Sequence, residues 1–90
     1  MIQNLQVAIR KRIEEFEPVS RSRAGGITFS LVTSDSLQKV LSPGYLDRFL
    51  ARGLRKCDRI QITAACGHGG ECAMLLVEEV LANKVKVRKL

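Results

Sequence analysis

Aromatic residues are scarce in this 90-residue chain: there is no tryptophan, and the rings are Phe16, Phe29, Tyr45 and Phe49. Each of the four falls on an apolar stripe, so none is left over to stack nucleobases at a surface. No run of about 18 apolar residues occurs, so nothing in the sequence reads as a membrane span. The opening Met1-Ile2-Gln3-Asn4 lacks a basic segment followed by an apolar one, so it does not read as a secretory signal and synthesis in the cytoplasm is expected. There are no internal repeats and no low-complexity tract.

Histidine is limited to His68, and no nucleophile with an evident orienting partner accompanies it. The segment Gly67-His68-Gly69-Gly70 is too short for a phosphate-binding loop, and a strand rather than a helix is expected after it. An enzyme is therefore not expected. Asp35, Asp47 and Asp58 read as caps and turn formers. Cysteine numbers three, so all cannot pair within one chain. Cys66, His68 and Cys72 place three soft ligands in seven residues, with Glu71 or Cys57 available as a fourth. The spacing matches no zinc pattern, so neither metal nor cofactor is expected. A Cys66–Cys72 bridge across a hairpin is the expectation outside a reducing cell, with Cys57 free or bonded to a neighbouring chain. Inside such a cell, two buried thiols flanking a turn are expected instead.

What the chain does have is positive charge, +6 net, from 15 Lys and Arg against 9 Asp and Glu. The excess sits in residues 48–59, with Arg48, Arg52, Arg55, Lys56 and Arg59 against one acid, and in residues 84–90, with four basic residues and no acid. Such clusters favour an acidic partner, and the alternative is a solvated face that keeps the protein soluble.

The stretch Ser42–Ala65 organises the rest. Ser42 suits an N-cap and Pro43 a first helical position. Tyr45, Leu46, Phe49 and Leu50 make one apolar stripe, and Gly53 stands where a helix C-cap belongs. Ile60, Ile62 and Ala64 then alternate with Arg59, Gln61 and Thr63, as a half-buried strand does. Upstream, Ile2, Leu5, Ile9, Ile13 and Phe16 are spaced 3, 4, 4 and 3, predicting an amphipathic helix that Pro18 ends. Residues 17–26 read as a polar linker. Ile27, Phe29 and Leu31 point inward from a first strand, and Asp35 opens a short helix with Gln38 three residues on. Cys72–Val80 is nearly continuous in apolar character, which suits a strand covered on both faces or packed on a partner. Val85–Arg88 alternates as a last strand.

These elements predict an α+β fold: a small antiparallel β-barrel of about four strands, SH3-like or OB-like, with a helical insertion between strands 1 and 2 and an N-terminal amphipathic helix. Residues 1–24 are expected to form a detachable attachment arm and residues 25–90 the barrel. The arm's stripe of Ile2, Leu5, Ile9, Ile13 and Phe16 is the expected partner-binding surface.

The motifs T-S-D-S-L, V-L-S-P-G-Y-L and L-R-K-C-D-R-I-Q-I-T-A, then a glycine-rich hairpin and L-L-V-E-E-V, cover roughly residues 27–88. Together they resemble a class of small domains encoded in tailed-phage and prophage genomes, which read D-S-L, G-Y-F and L-x-x-G-D-x-I-x-V. Cys57 replaces the glycine of that pattern and Leu46 its phenylalanine. The resemblance implies a virion component, in head decoration, a connector or tail attachment. It would be made in the host cytoplasm and act through contacts with capsid or tail proteins and with copies of itself. The alternative is a nucleic-acid-binding barrel that uses the basic segments for backbone contacts.

Overall fold

The computed structural model describes residues 12–23 and 25–90. Five strands form one sheet in the order β1 (Glu14–Arg21), β2 (Ile27–Thr33), β3 (Arg59–Ala64), β4 (Glu71–Val80) and β5 (Val85–Lys89). Neighbours run antiparallel except β2 and β3, which are parallel. A parallel pair needs a crossover, and residues 34–58 supply it through α1 (Leu37–Val40) and a 3-10 helix (Tyr45–Arg52). The expected antiparallel barrel is therefore corrected to an open, mixed sheet whose first and last strands lie at opposite edges. Alternation identified β2 and β3 but carries no strand direction; the crossover between them sets it.

The N-terminal amphipathic helix is the second correction. Its last residues are extended: Phe16 lies in β1 opposite Leu31, and Ile13 accepts a backbone bond from Ser34. Ile2, Leu5 and Ile9 lie outside the described residues. Pro18 interrupts nothing, because β1 is an edge strand and its register slips between Pro18 and Ser20. The division expected between residues 1–24 and 25–90 would separate β1 from β2, which pair along their length.

One sheet face and the crossover enclose the core. Phe29 and Leu31 of β2, Ile60, Ile62 and Ala64 of β3, and Leu75 and Val77 of β4 meet Val40, Tyr45, Leu46, Phe49 and Leu54. Phe16 is the middle ring of a stack, with centroids 4.9 Å from Phe29 and 4.2 Å from Phe49. This stack ties β1, β2 and the 3-10 helix together and adds about 0.5–1.5 kcal/mol per ring pair beyond burial alone.

The motif residues hold the crossover in place. Tyr45 donates to Asp35 Oδ2 at 2.6 Å, and its hydroxyl lies 3.4 Å from Thr33 Oγ1. Ser36, not Asp35, caps α1 by accepting from the Lys39 N–H. Asp35 instead binds Arg12 at 2.8 Å, so it joins the start of β1 to the crossover. Gly44 in the left-handed region opens the 3-10 helix in place of the expected Ser42–Pro43 cap, and Gly53 closes it as expected. Asp58 is buried and accepts from the Ile27 N–H at 2.7 Å and the Arg55 N–H at 2.8 Å.

Candidate functional site

Among the described residues two surfaces stand out, a basic cleft and a sheet face with no helix over it. The cleft has a volume of about 380 Å³ and lies at the end of the sheet where β1 finishes and β2 begins. Arg52 reaches it from the last turn of the 3-10 helix, and Gly53 then turns the chain so that Arg55 and Lys56 follow on the same rim. Arg21 arrives from the last position of β1, and the carboxylate of Asp58 lies at the base. Both Asp58 oxygens are taken by backbone N–H groups, so its charge is satisfied without the cations.

Of the basic residues grouped by sequence, the structure brings together Arg52, Arg55 and Lys56. Arg48 turns away: it stacks 4.2 Å over the Tyr45 ring and pairs with Glu14 at 2.9 Å. Arg59 points to the opposite sheet face, where its Nε donates to Thr28 Oγ1. Arg21 completes the cleft rim from outside the segment 48–59. It reads as part of a polar linker until β1 is known to be a strand that ends beside Gly26. The basic residues of segment 84–90 line the β5 edge, where Arg88 meets Glu78 at 3.5 Å.

The helix-free face is a grid set by the strand register. One row is Glu15, Val32, Thr63 and Cys72; the next is Glu17, Ser30, Gln61 and Met74; the third is Thr28, Arg59, Leu76 and Arg88. Val32, Met74 and Leu76 are half-buried there, with no helix over them among the described residues. This accounts for the continuous apolar run of β4: Leu75 and Val77 enter the core, while Met74 and Leu76 face outward. Of the expected partner stripe, Phe16 is buried in the core, and Ile13 is 41% exposed.

All three cysteines are free. The register places Thr63, not Cys66, across from Cys72, because Ala65 to Gly70 form the turn beyond the last paired residues. The expected opposition of Cys66 and Cys72 is thus corrected. Cys66 Sγ instead lies 3.5 Å from the Thr63 carbonyl. Among the described residues, no three His, Cys, Asp or Glu side chains gather so as to hold a metal ion, and no helix is long and apolar enough to cross a membrane.

Asp35 carries the clearest electrostatic perturbation. The Tyr45 hydroxyl bond, helped by Arg12 and Lys39, holds its carboxyl below the ordinary aspartate range despite partial burial. Burial, with the bond to Asp35, pushes the Tyr45 phenol up. These groups brace the crossover and face neither surface.

No known protein family, curated protein or solved structure matches the chain.

Proposed function

We propose that this domain is a structural assembly module acting through protein–protein contacts. In the setting that the resemblance implies, it is a component of a tailed-phage virion, in head decoration, a connector or the tail. The carrying observation is the sheet itself: among the described residues, helices cover one face, while the other presents Val32, Met74 and Leu76 in a polar surround. Half-buried apolar side chains on a helix-free face suit a protein partner, here a second copy of the chain.

Charge supports that choice of partner. The β1 rim of the face carries Glu15 and Glu17, and the β5 rim carries Arg88, whose exposed 3.5 Å pair with Glu78 is weak and leaves it open to a second carboxylate. A two-fold axis parallel to the strands lays one copy's acidic rim over the other's basic rim, which makes the face self-complementary. The test is solution mass by light scattering, at about 0.1 mM protein, in 0.1 and 0.5 M NaCl. A dimer that persists at the higher salt is expected, and Leu76→Asp should give a folded monomer. A parent that is monomeric under both conditions overturns the self-association. Absence of the chain from purified particles made by cells carrying its gene overturns the virion setting.

A further inference from the structure

We infer that the cleft bounded by Arg21, Arg52, Arg55 and Lys56 is a binding site for the phosphodiester backbone of nucleic acid. The inference does not rest on the assembly reading, since the cleft and the helix-free face involve different residues.

The first ground is unbalanced charge. All nine Asp and Glu of the chain lie among the described residues. Among those residues, the ion pairs involve Arg12, Lys39, Arg48 and Arg88, and none involves the four cleft cations. Arg23, Arg59, Lys84, Lys86 and Lys89 are likewise outside those ion pairs, but it is at the cleft that four such cations share one concavity with a single acid. That acid, Asp58, is 3% exposed and has both oxygens committed to backbone donors. Like charges held together repel, and an anion in the concavity relieves that repulsion.

The second ground is chemical type. Three of the four are arginines, whose planar fork matches two oxygens of one phosphate. They are fixed by different elements: the end of β1, the last turn of the 3-10 helix and the turn before β3. Arg52 is further steadied with its guanidinium 5.8 Å from the Phe16 ring. No aromatic residue lines the cleft, so it offers nothing on which a base can stack. Contacts confined to phosphate imply binding without sequence preference and with steep salt dependence.

Fluorescence anisotropy with a labelled 20-nucleotide single strand and its duplex, from 50 to 300 mM NaCl, tests the site. The double variant Arg52→Gln/Arg55→Gln is compared with Lys84→Gln/Lys86→Gln, which removes the same charge from the β5 end. All four side chains are exposed, and the Arg55 backbone bond to Asp58 survives substitution, so the folds are comparable. The cleft variant should lose affinity by about tenfold or more at 100 mM salt, with the duplex log–log slope shallower by about 1.8. The β5 variant should bind within about twofold of the parent, since its lysines lie outside the cleft. Equal losses in the two variants would overturn the site in favour of diffuse net charge. Competition by polyglutamate as effective as by oligonucleotide of equal charge would overturn the phosphate assignment. Absence of binding by the parent at 50 mM salt would overturn both. Leu76→Asp should bind oligonucleotide like the parent even where it abolishes self-association, which separates this result from the assembly test.

Discussion

Cys57 occupies a position where the chain needs glycine geometry. Its φ is +77°, in the left-handed region, and its N–H donates to the Val77 carbonyl at 2.9 Å. The turn that leads into β3 therefore forms with a cysteine in a backbone region that favours glycine, at a cost in backbone strain. Its neighbour across the sheet end cannot change in the same way. A Cβ on Gly26, where φ is +90°, would meet the Cys57 carbonyl oxygen at 2.7 Å. Cys57→Gly is expected to raise stability by up to about 1 kcal/mol, the relief of strain outweighing the added freedom of the unfolded chain. Urea denaturation measures this, and an unchanged or lowered midpoint would show that the cysteine is not strained.

At the level of elements, β1 decides how the molecule is divided. Its sole buried residue is Phe16, so period-2 alternation gives it no signature. The spacing of Phe16 from Ile13 and Ile9 fits a helix equally well, and Pro18 fits a helix stop. Once β1 is paired with β2, however, residues 14–21 supply an edge strand and the central ring of the aromatic stack. Deleting residues 1–24 should therefore unfold the domain: loss of Phe16 alone is worth about 3–5 kcal/mol, comparable to the stability of so small a fold. Circular dichroism with thermal melting checks this, and a truncated chain that melts cooperatively near the parent temperature would contradict it.

For the molecule as a whole, stability should depend on acid through the Asp35 node, which joins the beginning of β1, the end of β2 and the crossover. A carboxyl held below its ordinary value contributes stability that is complete above about pH 4, the unfolded aspartate value. That contribution is lost as pH falls from there through the folded value, where Asp35 takes up its proton. Asp35→Asn should cost about 1–3 kcal/mol at pH 7, as expected for hydrogen bonds to a charged group. It should also flatten the dependence of the melting temperature between pH 4 and pH 2. A variant with the parent's acid profile would place the acid-sensitive group elsewhere.

Elements whose buried faces repeat regularly are legible in the residue order alone. The β2 and β3 alternations, the Tyr45–Leu46–Phe49 stripe and the Gly53 cap all follow from local chemistry and burial period, and each is where the sequence places it. It also placed three of the four cleft cations in one segment. Strand direction, sheet closure and the fate of residues 12–21 come instead from pairing between distant segments. Side-chain periodicity reports which face is buried, not which neighbour a strand pairs with, and one inward residue such as Phe16 has no period to read. Arg21 joined the cleft for the same reason: its place depends on a β1–β2 pairing that acts between segments and leaves no local pattern.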